Sequence, residues 1–193
     1  NDARKFTEGY DILLEEIDAR EIDDPGYSQN PVNRCYFCKT ALYTEMEKLI
    51  AGTFPGFVVL NGNNYSDFGD YRPGLEAAGQ HRVLSPLAEC KFTKEDIRSV
   101  ARHYGLPNWN KPASPCLSSR FPYGESITID KLRMVEKAED VLNDFGFDDV
   151  RVRYIGGGAR LEVPAGHIGL LQQEYKEIAP DMISAGFSTC DSD

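Results

Sequence analysis

The spacing of three cysteines is the feature that most constrains how this chain can fold. Cys35 and Cys38 are separated by two residues, and Cys116 follows after 77 more. A two-residue spacing lets both thiolates converge on one metal, but the distance to Cys116 is too long for a zinc knuckle or ribbon. Three cysteines that a fold brings together suit a 4Fe–4S cluster with one iron that lacks a protein ligand. The alternative is a structural or redox pair plus a buried Cys116, and spacing alone favours that alternative.

Composition narrows the function classes. A net charge of -10 and a pI near 4.8 disfavour binding to nucleic-acid backbone. No run approaches the roughly 20 apolar residues that span a bilayer, and no secretory signal opens the chain. Five cysteines with one CxxC pair indicate a reducing cytosol rather than a disulfide framework. We therefore expect a cytoplasmic protein with no membrane and no nucleic-acid partner.

Apolar runs in the first half of the chain predict strands of an α/β sheet. We expect a short strand over 11–17, a buried parallel strand over Phe57–Leu60 and another strand over Arg82–Leu87. Ligands of open α/β sheets bind beyond the carboxyl ends of the strands. The polar loop 61–74 is therefore a candidate cleft wall, with an ordinary surface loop as the alternative.

Helical spacing follows the CxxC pair, over Thr40–Ile50. The thiols would then lie at a helix N-terminus, where the dipole lowers the thiol pKa. A second helix is predicted after the capping sequence Thr93–Asp96 and is ended by Gly105. Four residues should form its buried face: Ile97, Val100, Ala101 and Tyr104.

The pattern changes near Tyr123 to Ser126. A helix over Asp130–Phe145 precedes two strands, Val150–Tyr154 and Arg160–Val163, which flank three glycines, and Pro164 opens a last helix. We expect an α/β domain over 1–124 and a small α+β domain over 125–193.

Arginines in the first of these strands indicate an anion site. Arg151 and Arg153 alternate, so they project from the same face. Two neighbouring guanidinium groups repel each other unless an anion lies between them, and phosphate or carboxylate binds them well. Ser118, Ser119 and Arg120 supply similar groups. The alternative is that the strand arginines face water and pair with acidic side chains.

Several strings together resemble one family, the LarE sulfur transferases. These enzymes use ATP to thiolate the pyridinium dicarboxylate mononucleotide precursor of the nickel-pincer cofactor, in lactate racemase maturation. The resemblance covers nearly the whole chain, and the SSRFPYG string is the most specific part. The matching strings are NRCYFCK at 33–39, GDYRPG at 69–74, NWNKPAS at 108–114, CLSSRFPYG at 116–124 and VRVRY at 150–154.

The resemblance implies a PP-loop, adenine-nucleotide-hydrolase-like parallel sheet domain, a small C-terminal domain and a cyclic homo-oligomer, a trimer or hexamer. Some family members give up sulfur from a single cysteine, and others hold a 4Fe–4S cluster on three cysteines. This chain resembles the second kind, with Cys35, Cys38 and Cys116 as catalytic residues and cluster ligands. Carried over by position, the substrate-binding residues are Ser119, Arg120, Arg151 and Arg153 at the phosphate, Glu139 near the site, and Asp70 and Arg72 along the cleft.

Two family features are absent from these 193 residues. One is the nucleotide loop Ser-Gly-Gly-x-Asp-Ser, and the other is the ending Gly-Tyr-Arg-x-Gly. We therefore expect the chain to be part of a longer protein whose remaining part would bind ATP and Mg²⁺, because no phosphate-cradling loop occurs here.

The expected reaction is ATP-dependent adenylation of a carboxylate of pyridinium-3,5-biscarboxylic acid mononucleotide, followed by sulfide attack to give a thiocarboxylate. A sulfide donor or cysteine desulfurase would be a further partner. Two alternatives remain open at the sequence level. One is a tRNA-thiolating PP-loop enzyme, and the other is a zinc-stabilised module without enzymatic activity.

Overall fold

The computed structural model describes residues 2–69 and 72–191 and has a mixed α/β fold. Asp70, one of the predicted cleft residues, lies outside the described residues. The α-helices of the described part are α1 Asp2–Gly9, α2 Pro25–Ser28, α3 Arg34–Thr53, α4 Pro73–Gln80, α5 Pro86–Glu89, α6 Lys94–His103, α7 Ile129–Asp144 and α8 Ile168–Ala185. The 3₁₀ turns are Glu21–Asp23, Tyr65–Gly69, Leu117–Arg120 and Ala165–His167. None of these helices has the length and apolar character that crossing a bilayer requires.

A three-stranded sheet forms near the C-terminus. Strand β1 (Arg151–Ile155) pairs antiparallel with β2 (Gly158–Glu162), which pairs in parallel with the short β3 (Cys190–Asp191). The connection of β1 to β2 is the predicted glycine turn, in which Gly156 and Gly157 have φ angles of 57° and 94°. A two-residue hairpin turn with positive φ at both positions matches the twist of the strands. The hairpin prediction is confirmed, whereas β3 was not predicted.

Helices α7 and α8 pack on this sheet and form the main core. Helix α7 begins after Thr128, whose hydroxyl accepts a hydrogen bond from the Lys131 backbone N–H, and it ends before Gly146, in agreement with the predicted range. Tyr27 and Phe121, which precede the predicted domain boundary, are buried in the same core. That boundary stays a prediction. The other buried members are Ile127, Val135, Ala138, Leu142, Phe147, Val150, Val152, Ala159, Leu161, Leu171, Ile178, Met182 and Phe187.

The predicted N-terminal strands are wrong in extent. Residues 11–17 form no strand, and Phe57 and Val58 are 69% and 67% exposed rather than buried. The segments expected to form the other two strands, Phe57–Leu60 and Arg82–Leu87, are joined within the described residues by a single parallel bridge between Leu60 and Leu84. The parallel direction is as expected, but a strand becomes buried only when neighbouring strands and helices cover it, and the described residues provide no such cover here. The PP-loop sheet therefore stays a prediction.

Helix α6 confirms its predicted cap and corrects its predicted face. The hydroxyl of Thr93 accepts a hydrogen bond from the backbone N–H of Asp96, whose carboxylate in turn accepts from the Thr93 N–H. Gly105 adopts the positive φ that ends the helix. However, no residue of α6 is buried, and Val100 and Tyr104 are exposed, because no other described element covers this face.

Candidate functional site

The CxxC pair lies in the first turns of α3, as predicted, although the helix begins earlier than expected. Cys35 is exposed, and Cys38 is half-buried against the main core. Burial, with a smaller contribution from the negative charge of Glu21, raises the pKa of Cys38 to about 11. The predicted lowering of the thiol pKa is therefore wrong for Cys38, because loss of hydration outweighs the helix dipole.

Cys116 is exposed and immediately precedes the 3₁₀ turn Leu117–Arg120. Its carbonyl oxygen accepts a hydrogen bond of 2.9 Å from the Ser119 N–H. Leu117, the residue that follows Cys116, packs against the same main core as Cys38, although the two are far apart in sequence.

Three residues, which we call the α3 clamp, hold the Cys116 segment to the start of α3: Tyr27, Asn30 and Arg34. The Arg34 guanidinium Nη1 donates to the carbonyl oxygen of Ser118 at 2.8 Å and to Asn30 Oδ1 at 2.6 Å. The Asn30 amide donates to the Pro122 carbonyl at 2.7 Å. The hydroxyls of Tyr27 and Ser118 share a buried hydrogen bond.

A second set of contacts holds the opposite side of the same segment. The Arg120 guanidinium forms a two-point ion pair with Glu139 of α7, with N···O distances of 2.8 and 3.0 Å. Glu139 also accepts a hydrogen bond of 3.0 Å from the backbone N–H of Val152 in β1. The Cys116 segment is thus fixed between α3 on one side and α7 and β1 on the other.

The two strand arginines share a face of β1 but differ in their partners. Arg153 Nε lies 3.0 Å from both carboxylate oxygens of Glu162, and its Nη1 donates to the Ser119 carbonyl at 2.9 Å. The Arg151 side chain makes no hydrogen bond or ion pair with any residue in 2–69 or 72–191, although its backbone pairs with Glu162 in the sheet. Pairing with an acidic side chain, the alternative interpretation, therefore describes Arg153 and not Arg151. Arg151 is a half-buried cation available to an anionic ligand.

The predicted cleft loop, 61–74, also approaches helix α3. Arg72 forms an ion pair of 2.9 Å with Asp67, just before α4. Gly74 lies so close to α3 that an added Cβ would be 3.1 Å from Lys39 Cγ and 3.6 Å from the Cys35 carbonyl oxygen. The segment that follows Arg72 therefore lies beside the first turn of the cysteine helix.

Sequence reasoning missed the α3 clamp and the partner of Arg153, Glu162. Arg34 lies within the NRCYFCK string, and its position beside Cys35 was the available signal. Nothing local indicated that it bonds to Ser118, which is 84 positions away. Glu162 could have been found from the hairpin register, because it lies opposite Arg151 and diagonal to Arg153.

Whether the three thiols hold a cluster stays a prediction. Within the described ranges, no three His, Cys, Asp or Glu side chains are grouped closely enough to hold one metal ion. Ligands of a 4Fe–4S cluster bind different irons and therefore stand farther apart. Two thiols one turn apart on α3, with a third on a segment that the α3 clamp holds nearby, provide the donor chemistry that such a cluster needs.

Comparison with known proteins identifies relatives of the chain. No family model matches it. It is 42% identical over 173 residues to an uncharacterized protein of Synechocystis, covering 90% of this chain and 64% of that protein. It is 39% identical over 148 residues to the pyridinium-3,5-bisthiocarboxylic acid mononucleotide synthase of Lactiplantibacillus plantarum, covering 77% of this chain and 53% of that protein. It is 30% identical over 159 residues to an uncharacterized protein of Methanocaldococcus jannaschii, covering 82% and 62%.

The chain thus spans between 53% and 64% of the length of these curated relatives. The similarity extends through most of the described residues.

Proposed function

We propose, since this chain belongs to the LarE family, that it is the sulfur-delivering part of an enzyme that makes a pyridinium bisthiocarboxylic acid mononucleotide. The enzyme would convert carboxylates of pyridinium-3,5-biscarboxylic acid mononucleotide to thiocarboxylates. The observation that carries this proposal is the double attachment of the Cys116 segment, to α3 through Arg34 and to β1 through Glu139. These attachments join the Cys116 segment to the helix that carries Cys35 and Cys38 and to the strand that carries Arg151 and Arg153.

Cys35, Cys38 and Cys116 would hold a 4Fe–4S cluster. When bound, that cluster would supply the sulfide that replaces a carboxylate oxygen of the substrate. Because burial holds the Cys38 thiol in its protonated form, loading the cluster must release a proton from it. The α3 clamp would keep Cys116 in place as the ligands assemble.

Arg151 would bind the substrate phosphate, because its guanidinium is half-buried and has no partner in the described part of the chain. Arg153 and Ser119 would complete the anion site, with Arg153 oriented by Glu162 and by the Ser119 carbonyl. Arg72, and Asp70 outside the described residues, would line the approach to the cysteine helix. A mononucleotide held by its phosphate would present its ring carboxylates at a fixed distance from the thiols.

The remaining roles would belong to the whole protein. We propose that a PP-loop sheet domain binds ATP and Mg²⁺ and adenylates the carboxylate, so that AMP becomes the leaving group. A homo-oligomer, a trimer or hexamer, and a sulfide donor such as a cysteine desulfurase complete the proposal. A reducing cytoplasm would suit five free cysteines.

Anaerobic reconstitution with iron and sulfide tests the proposed site. The wild-type chain should bind iron and acid-labile sulfide in equal amounts and acquire a brown absorbance. Cys116→Ala should lose most of both, and Cys90→Ala, which removes another exposed thiol, should retain them. Equal iron and sulfide in the Cys116→Ala and wild-type proteins would refute the ligand assignment.

The two alternatives make different predictions. A tRNA-thiolating enzyme would bind tRNA with a strong salt dependence, and the net charge of -10 gives that reading no support. A zinc module would bind zinc without iron or sulfide, and the described residues contain no set of ligands grouped for one ion. Metal analysis and a tRNA titration of the same preparation distinguish all three.

A further inference from the structure

We infer that Arg120 is a positioning residue: paired with Glu139, it fixes the main chain at Cys116 to strand β1 and does not contact the substrate phosphate. This inference replaces the role that the family resemblance gives to Arg120. The purpose of a fixed Cys116 position rests on the proposed function. The attachment of the Cys116 main chain to β1 can be measured independently of that function.

All three nitrogens of the Arg120 guanidinium already have partners. Nε and Nη2 donate to the two oxygens of Glu139. Nη1 donates to the Pro115 carbonyl at 2.8 Å, the Cys116 carbonyl at 3.3 Å and the Ser119 hydroxyl at 3.1 Å. A guanidinium has five N–H donors and no acceptor, and these contacts occupy four of them, so only the second N–H of Nη2 has no partner among the described residues.

Burial makes it unfavourable for a phosphate to replace Glu139 as the partner of Arg120. The side chains of Arg120 and Glu139 are only 6% and 13% exposed. A phosphate bound to Arg120 would leave the largely buried Glu139 carboxylate without its cation. An unpaired buried charge of this kind is strongly destabilising. Arg151 is half-buried and has no partner in the described chain, so an anion can bind it without breaking an ion pair.

The ion pair joins the thiol segment to the arginine strand. Arg120 holds the carbonyls of Pro115 and Cys116, and Glu139 holds the N–H of Val152, which lies between Arg151 and Arg153. The distance from Cys116 to the anion site is therefore fixed through two side chains in direct contact. Such fixed spacing matters for a transfer reaction, since a displacement of about 1 Å can cost about a hundredfold in rate.

Two variants and a matched control test the inference on the full 193-residue chain. Glu139→Gln keeps the shape of the side chain but removes its negative charge. Arg120→Lys keeps the positive charge, but its single ammonium group cannot hydrogen-bond Glu139 and both the Pro115 and Cys116 carbonyls at once. Glu16→Gln makes the same change in the Arg4–Glu16 pair, which is also two-point but has side chains 58% and 53% exposed. The readouts are hydrogen exchange of the 113–121 peptide and titration with inorganic phosphate.

We expect exchange in the 113–121 peptide to accelerate by about tenfold in both variants and to stay unchanged in Glu16→Gln. In both variants the Kd for inorganic phosphate should stay within about threefold of the wild-type value. Arg151→Gln should raise that Kd by about tenfold or more and leave the exchange of the 113–121 peptide unaltered. If Glu139→Gln unfolds globally, Arg120→Lys decides.

Unchanged exchange in the folded variants overturns the inference, and so does a tenfold loss of phosphate affinity on changing Arg120. If the wild-type chain binds no phosphate, the proposed anion site fails. The exchange measurement still decides whether Arg120 fixes the Cys116 segment.

Discussion

Arg34 is a buried cation whose observed partners are both neutral. Its Nη1 donates to the Asn30 amide oxygen and to the Ser118 carbonyl oxygen, and the bond to Ser118 joins residues 84 positions apart in sequence. Charge-assisted hydrogen bonds of this kind contribute more than neutral ones. Arg34 therefore stabilises the contact between the Cys116 segment and the start of α3.

Replacing Arg34 should cost stability. In Arg34→Met, two buried acceptors lose their donor, and we expect the free energy of unfolding to fall by about 2–4 kcal/mol. Urea unfolding of the unliganded chain measures this. Arg133→Met, on the exposed side of α7, should change it by less than about 0.5 kcal/mol. Equal losses in the two variants would contradict the role of Arg34.

Gly26 is required by close packing against the cysteine helix. A Cβ at this position would lie 2.4 to 2.8 Å from three ring atoms of Phe37, and Phe37 packs on the main core. Gly26→Ala should therefore destabilise the chain by about 1–3 kcal/mol through overpacking. Gly52→Ala, inside α3 with no atom within 4 Å of the added carbon, should instead stabilise it by about 0.5–1 kcal/mol. Thermal unfolding of both variants measures the sign, and a stabilising Gly26→Ala would contradict the packing at Phe37.

At the scale of elements, helix α6 depends on its cap rather than on burial. The Asp96 carboxylate accepts hydrogen bonds from the hydroxyl and the N–H of Thr93, at 2.6 and 2.9 Å, and these bonds hold its pKa below the usual value. A carboxyl group whose pKa is lowered by folding adds stability above its unfolded pKa, and that stability is lost as the pH falls through the folded pKa. Helix α6 should therefore fray in acid.

An NMR titration of the Asp96 carboxyl carbon measures this cap. In wild type the midpoint should lie below the usual pKa of an aspartate side chain, and Thr93→Val should raise it, because the variant loses the hydroxyl bond. Thr44→Val, which removes a hydroxyl on α3, should leave it unchanged. A midpoint that is the same with and without the Thr93 hydroxyl would show that the cap does not act on Asp96.

The elements that sequence predicted well are those with local causes. Helix α7 has a threonine cap, an apolar stripe and a terminal glycine, and the hairpin has two glycines at its turn. The strand expected over Phe57–Leu60 has no such local cause. Its burial depends on neighbouring strands, and only the bridge from Leu60 to Leu84 is present in the described residues. Pattern reasoning therefore identified the apolar segment but not its environment.

For the molecule as a whole, most of the stability should come from the core around α7, α8 and the sheet. Leu142 of α7 is fully buried there, whereas Leu13 in the N-terminal segment is largely exposed. Leu142→Ala should lower the free energy of unfolding by about 2–5 kcal/mol, and Leu13→Ala by less than about 0.5 kcal/mol. Denaturant unfolding followed by circular dichroism gives both values. A loss below 1 kcal/mol in Leu142→Ala would contradict the assigned core.

The candidate site could be predicted only in part, because its contacts are non-local. The cysteine helix and the alternation of Arg151 and Arg153 follow from spacing within a few residues. The bond of Arg34 to Ser118 and the contact of Glu139 with Val152 join separate segments, which no local pattern specifies. The raised pKa of Cys38 likewise depends on burial against a core built from residues distant in sequence, and to a smaller extent on Glu21.

Iron-edge anomalous diffraction from crystals of the anaerobically reconstituted chain tests the central claim most directly. We predict an iron peak bordered by the Sγ atoms of Cys35, Cys38 and Cys116, with Arg34 still bonded to Ser118. Iron bound at any other place, or a peak held by Cys35 and Cys38 with Cys116 directed away from it, would contradict the account.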